Sequence, residues 1–143
     1  MTLFEQIGAT KLRAVVTAFY DRVFGDVMIG FMFEGKDRQR LIDKEYELVA
    51  ALLGAGIKYT GRPMPVAHAA HTIFGGHFER RMQLLRNTFA AEGVPPDVAT
   101  AWLDHSESLR SQVTKDRGSE CATTASSEPP AAKPEGTIKL GRR

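Results

Sequence analysis

The clearest structural signal in this chain is Leu12 to Phe24, which reads LRAVVTAFYDRVF. Its apolar residues recur every three or four positions, which places them on one face of a helix with 3.6 residues per turn. They are Leu12, Val15, Val16, Phe19, Tyr20, Val23 and Phe24. Such a face is stable when it is buried against other elements, so the segment predicts an amphipathic helix within a larger core.

Three further segments show the same helical periodicity. They are Arg38 to Leu53, Gly76 to Glu92 and a segment that begins after Pro95-Pro96. Glycine follows the first two, as is common where helices end, and the proline pair favours a helix start. We find no stretch that alternates apolar and polar residues in the manner of a half-buried strand. The sequence therefore predicts an all-α fold.

The length and composition indicate one ordinary domain, since the chain has 143 residues, of which 43% are hydrophobic and 25% charged. After Arg117 the large aliphatic residues almost disappear, and Ser, Ala, Thr, Pro and Gly dominate. A segment of that composition buries too little apolar surface to fold by itself. We therefore predict a folded domain over residues 1–117 and a disordered tail over residues 118–143.

Charge and cysteine content narrow the class of protein. The net charge of +2 is too small to indicate a nucleic-acid partner. A lone cysteine, Cys121, has no partner for an internal disulfide, and the first residues lack the basic and apolar regions of a secretory signal. No apolar run is long enough to span a membrane. We expect a cytoplasmic protein, monomeric or weakly dimeric, that binds neither nucleic acid nor membrane.

Two polar groups interrupt the apolar faces. Glu45 lies four residues after Leu41 and three before Leu48, within the apolar stripe of its helix. Because burial penalises a charge, a buried carboxylate there requires a hydrogen-bond partner or a wet functional cavity. The alternative is a narrow stripe, with Glu45 at its solvent edge beside a Lys or Arg. Tyr20 places a hydroxyl on the apolar face of the helix predicted over residues 12–24. The simpler interpretation of this residue is a tyrosine that packs in the core.

Three of the four histidines, His68, His71 and His77, fall within ten residues of one another. Imidazole is the commonest protein ligand for transition metals, yet the chain has no Cys pair and no His-Glu-x-x-His motif. The prolines of segment 61–65 predict a short or irregular element around the first two histidines. Spacing alone leaves their role open. His105 lies near the apolar face of the last helix, where we expect it to pack.

Several short motifs occur together in a particular order. They are Phe19-Tyr20, Phe33, Tyr59-Thr60-Gly61, Met64, His68, Ile73 and His77-Phe78. By these motifs and their spacing, the chain resembles the group I type of truncated, two-on-two haemoglobins over about residues 3–115. The resemblance implies a globin-like helical sandwich around haem b, the iron protoporphyrin cofactor.

The resemblance also implies roles for individual residues. His68 matches the proximal histidine that binds the haem iron, which leaves His71 and His77 without a ligand role. Tyr20 matches the distal tyrosine whose hydroxyl hydrogen-bonds the ligand of the iron, and Phe33 matches a phenylalanine that packs on the porphyrin. The other positions expected to contact the cofactor are Leu41, Lys44, Tyr59, Met64, Ile73 and Phe78. Lys44 is expected at a haem propionate or in solvent, with iron ligation as the alternative.

Glu45 departs from the family pattern, which commonly has Gln or an apolar residue there. An ionised Glu45 would repel a partly negative bound oxygen, whereas a protonated one would donate a hydrogen bond to it. The leading expectation is a protein that binds oxygen, nitric oxide or carbon monoxide, with a reductase-dependent nitric oxide dioxygenase activity as an extension. The alternatives are a haem peroxidase or nitrite reductase, in which Tyr20 and Glu45 are catalytic, and a helical interaction module without haem.

Overall fold

The structure is a computed structural model that describes residues 1–61 and 73–114. Those residues form six α-helices and one 3-10 helix, and they contain no strand. In chain order the elements are α1 (Leu3–Ile7), α2 (Ala9–Phe24), the 3-10 helix (Gly30–Phe33), α3 (Arg38–Leu52), α4 (Gly75–Glu92), α5 (Pro96–Ser108) and α6 (Arg110–Val113). The all-α prediction is confirmed. The predicted tail lies outside the described residues, so its disorder stays a prediction.

Helix α2 lies at the centre of the fold and packs against both α3 and α4. Six of the seven residues of its predicted apolar face are buried, with Leu12 and Phe19 fully inaccessible to solvent, and Phe24 is half-buried. In the same core, Trp102 of α5 is also fully buried and packs on Phe89 of α4, with the ring centroids 4.8 Å apart. Burial of each such side chain stabilises the fold by about 1.5–3 kcal/mol.

Local sequence explains where the helices begin and end. Thr2 and Glu5 form a capping box that starts α1, and Gly8, with φ +83°, separates α1 from α2. Gly93 ends α4 in the left-handed conformation, with φ +68°. Neither α1 nor the 3-10 helix was expected, because elements of five and four residues are too short to show a period. None of the helices in residues 1–61 and 73–114 is long and apolar enough to cross a membrane.

Hydrogen bonds to the Asp26 side chain stabilise the loop that leads into the 3-10 helix. One carboxylate oxygen accepts hydrogen bonds from the backbone N–H groups of Met28 and Ile29, both at 3.0 Å. The other accepts two from the Arg80 guanidinium of α4, at 2.7 and 3.0 Å. These contacts, foremost the bond from Arg80, hold the pKa of Asp26 below its usual value. The 3-10 helix is thereby tied to α4, which sets the position of Phe33.

Candidate functional site

A cavity of about 290 Å³ lies among α2, the 3-10 helix, α3, α4 and α5. Its walls are mainly apolar, with Met32, Leu48 and Val49 among them. Eight of the ten residues predicted to bind a cofactor or ligand line this cavity: Tyr20, Phe33, Leu41, Lys44, Glu45, Tyr59, Ile73 and Phe78. The other two, His68 and Met64, lie outside the described residues. Residues far apart in the chain thus meet at a single cavity.

Tyr20 lines the cavity from α2 and is 7% exposed. Its ring packs edge to face on those of Phe19 and Phe33, with centroid separations of 5.2 and 6.4 Å. Burial and, secondarily, the negative charge of Glu45 raise the pKa of Tyr20, and the Arg81 guanidinium partly offsets this rise. The Tyr20 hydroxyl is therefore protonated at neutral pH and is available as a hydrogen-bond donor.

Glu45 lines the same cavity from α3, and its side chain is only 10% exposed. Its ion partner is Arg81 of α4, whose Nη2 donates to Glu45 Oε1 over 3.4 Å. The Arg81 guanidinium also lies over the Phe19 ring, 4.9 Å from its centroid. The structure combines features of the two interpretations that the sequence left open. Glu45 is part-buried and lines a cavity, as the first expects, and its partner is an Arg, as the second expects. That partner comes from a helix 36 residues further along the chain.

Lys44 lines the cavity from α3, on the side where this helix faces Thr60. The Lys44 side chain is 25% exposed. Its Nζ donates to Thr60 Oγ1 at 2.6 Å and lies 3.6 Å from Glu47. The Thr60 hydroxyl and backbone N–H donate in turn to Glu47, at 2.6 and 2.8 Å. These hydrogen bonds lower the pKa of Glu47, and the bond from the Thr60 hydroxyl has the largest effect. The network holds Lys44 near solvent and brings the neighbouring Tyr59 to the cavity wall.

Positive charge predominates around the cavity. Lys36 and Arg40 also line it and are exposed, so they mark its mouth together with Lys44. In the described part of the lining, these three residues and Arg81 oppose a single carboxylate, that of Glu45. An apolar cavity with cations at its opening suits an amphiphilic ligand that has negative groups at one edge.

Helix α5 contributes buried nitrogen atoms to the wall. Within residues 1–61 and 73–114, Trp102 Nε1 and His105 Nε2 are buried and have no hydrogen-bond partner. Unpaired buried polar atoms are rare because they lose their hydration without compensation. The histidine expected to pack beside Trp102 thus reaches the cavity wall. His77 lines the cavity too, but its Nδ1 accepts a hydrogen bond from the Phe74 backbone N–H at 3.1 Å.

Sequence reasoning missed Arg81, although a signal for it was present. Arg81 lies three residues after Phe78 and four before Leu85, which are both buried residues of α4. It therefore interrupts an apolar stripe in the same way as Glu45 does on α3. Two opposite charges on the inward faces of two helices point to a pair between them.

The family of the chain follows from comparison with known proteins. The family model for the bacterial-like globins matches residues 2–115. The group 1 truncated hemoglobin GlbN of Mycolicibacterium paratuberculosis is 34% identical over 100 residues, which cover 69% of this chain and 74% of that protein. A group 1 truncated hemoglobin of Chlamydomonas moewusii is 29% identical over 104 residues, which cover 70% of this chain and 61% of that protein.

Solved structures give the same fold. The truncated hemoglobin of Tetrahymena pyriformis in its Fe(III) form superposes with a TM-score of 0.73 at 24% identity, covering 80% of this chain and 98% of that one. The truncated oxygen-avid haemoglobin of Bacillus subtilis gives a TM-score of 0.71 at 20% identity, covering 80% and 100%. The chain therefore belongs to the bacterial-like globin family. Within that family it is a group I truncated haemoglobin, a haem-binding globin that takes up diatomic ligands.

Proposed function

We propose that the cavity holds haem b, with His68 as the proximal ligand of the iron and Tyr20 on the distal side. The observation that carries the proposal is one apolar cavity that combines a cationic mouth with a buried, protonated hydroxyl. The assignment of His68 rests on its place in the sequence motif. When bound, haem supplies an iron atom at which a diatomic ligand coordinates.

The residues of the cavity fit the chemistry of haem. Phe33, Leu41, Ile73 and Phe78 are suited to the apolar faces of the ring, and their contacts keep water away from it. The propionates carry negative charge and need cations near solvent. Exposed Lys36 and Arg40, together with Lys44, supply such cations at the mouth.

The polar residues of the cavity have separate roles in this proposal. Tyr20 donates a hydrogen bond to the ligand, because burial keeps its hydroxyl protonated. Arg81 provides the positive charge that offsets the Glu45 carboxylate, 3.4 Å away. Lys44 is engaged by Thr60 and Glu47, which supports the propionate role over iron ligation.

We further propose that residues 1–117 form the globin domain, acting in the cytoplasm as a monomer or weak dimer. The lone Cys121 supports a reducing compartment, since it leaves no pair for an internal disulfide. Conversion of nitric oxide and oxygen to nitrate is the turnover best suited to a dry cavity with a ligand-orienting hydroxyl. That turnover requires an electron-donating reductase as partner.

The test is the absorption spectrum of the haem-reconstituted full chain, recorded in the ferric state, the ferrous state and the ferrous state with carbon monoxide. We expect sharp haem bands that His68→Ala abolishes or shifts, because the variant removes the iron ligand. His71→Ala is the matched control, a nearby histidine to which we assign no ligand role. Equal spectra for the two variants would refute the assignment of His68.

A second candidate function is proton-coupled reduction of peroxide or nitrite, with the electrons supplied by an electron-donating reductase. The observation that favours it is the Glu45 carboxylate, which lines the cavity beside the Tyr20 hydroxyl and is therefore placed to accept or deliver a proton. Glu45→Gln keeps the shape of the side chain and removes its charge. We expect a large loss of peroxide or nitrite turnover if Glu45 carries protons. Unchanged turnover would exclude this role.

A further inference from the structure

Helix α5 places polar side chains on the wall of a mainly apolar cavity. Trp102, His105 and Ser106 all line this cavity. Because Trp102 precedes the other two by three and four residues, the three side chains lie together on one face of the helix. Trp102 is fully buried and Ser106 is 6% exposed, whereas His105 is part-exposed. None of the three has a role in the contacts proposed for haem.

Two of these side chains carry a buried nitrogen that lacks a partner. In the part of the chain that the structure describes, neither Trp102 Nε1 nor His105 Nε2 has a hydrogen-bond partner, although both atoms are buried. Such burial is unfavourable, because the atom loses its hydration and gains nothing in exchange. A small molecule that bonds to both nitrogens would therefore stabilise this wall of the cavity.

The chemistry of the two nitrogens selects the ligand. An indole N–H only donates, and a neutral imidazole has one nitrogen that accepts, so the ligand must accept from Trp102 and donate to His105. A diatomic gas has no hydrogen to donate, whereas a water molecule does both. The second hydrogen of that water is available to the Ser106 hydroxyl, which brings the total to about three hydrogen bonds, as is usual for a buried water. A cavity of about 290 Å³ also exceeds the volume of about 10–15 Å³ that one water needs.

We propose that Trp102, His105 and Ser106 form a binding site for one water molecule in the α5 wall of the cavity, and that this water exchanges with solvent past His105. The route past His105 follows from its burial, since the residue is part-exposed while its Nε2 is buried. The site depends on α5 itself and goes beyond the proposed haem function. Its consequence is a cavity with one hydrated wall, where the bound water is a proton source separate from Glu45 on α3.

The experiment is deuterium exchange at the Trp102 indole N–H, followed by nuclear magnetic resonance on the haem-loaded full chain with carbon monoxide bound. Trp102 is the only tryptophan of the chain, so its indole N–H gives a single signal. In a dry wall, a fully buried N–H exchanges only when the helix opens, as does the Trp102 backbone N–H within α5. With a bound water in exchange with solvent, the indole protection factor should be about tenfold or more below that of the backbone N–H.

His105→Phe keeps a planar ring and removes both nitrogens. It should raise the indole protection factor about tenfold or more, because the water loses a partner and its route to solvent. The matched control is Asp104→Asn, since Asp104 is the neighbouring residue of α5, is exposed and does not line the cavity. Its indole protection factor should equal that of the wild type.

Two outcomes would overturn the inference. One is a wild-type indole N–H that is protected as strongly as the Trp102 backbone N–H, and the other is an indole protection factor that His105→Phe leaves unchanged. Should His105→Phe fail to fold, Ser106→Ala decides in its place, because it removes another partner of the water and should also raise the indole protection factor. The haem spectrum of the same samples tests the proposed function separately, so failure of the one is distinguishable from failure of the other.

Discussion

Gly30 provides the sharpest test of how the fold positions the cavity. It begins the 3-10 helix and is buried. A Cβ at this position would lie 2.9 Å from the Phe24 carbonyl oxygen and 3.3 Å from that of Val23. Both contacts are with backbone atoms of the α2 end, which cannot rotate away as a side chain would. Gly30→Ala must therefore displace the 3-10 helix that carries Phe33.

The expected magnitude follows from these distances. Overpacking by one methyl group in a well-packed region costs about 1–3 kcal/mol, and a backbone clash below 3.0 Å lies in the upper part of that range. Gly76→Ala is the matched control. A Cβ at Gly76 meets nothing within 4 Å, and alanine is a better helix former than glycine, so this variant should not be destabilised.

The assay is urea unfolding of the haem-loaded full chain, followed by far-UV circular dichroism. We expect the free energy of unfolding to fall for Gly30→Ala and to stay equal or rise for Gly76→Ala. The visible spectrum should also change for Gly30→Ala, because Phe33 lines the cavity that we propose for haem and would move with the 3-10 helix. The same unfolding free energy in both variants would show that Gly30 is not tightly enclosed, and the reasoning would be refuted.

Two further predictions concern titrating groups. Asp26→Asn should lower the free energy of unfolding more than Asp21→Asn, because the side chain of Asp26 is 4% exposed and that of Asp21 is 59% exposed. Because the pKa of Asp26 is lowered in the folded state, the stability that Asp26 contributes is fully present above its unfolded pKa of about 3.9. That stability is lost as the pH falls through the folded pKa. The urea midpoints of the wild type and of Asp26→Asn should therefore converge in acid. The pKa of Tyr20 is raised in the folded state, so the neutral hydroxyl contributes stability that is fully present below the unfolded pKa of about 10. As pH rises above that value, the wild type should lose stability relative to Tyr20→Phe in the same assay, and parallel profiles would contradict the burial of the hydroxyl.

The helices and their ends could be read from the sequence because their causes are local. The apolar spacing of residues 12–24 requires one buried helical face, and that face is buried in the structure. Gly93 ends α4 where the sequence predicted. The motifs of the candidate site were also visible, since Tyr20 and Phe33 occur at recognisable spacing. Elements of four or five residues, such as α1, escaped prediction because they complete too few turns to show a period.

The partner of Glu45 could not be read in this way. The position of Glu45 in an apolar stripe left two interpretations open. The carboxylate was either buried with a partner or a cavity, or it lay at the solvent edge of a narrow stripe beside a Lys or Arg. Arg81 becomes that partner because α3 and α4 both pack against α2 and turn these two side chains to the same cavity. The engagement of Lys44 by Thr60 has the same origin, in a contact across 16 residues. Periodicity fixes which face of a helix is apolar, whereas an ion pair or a cavity depends on which faces meet after packing.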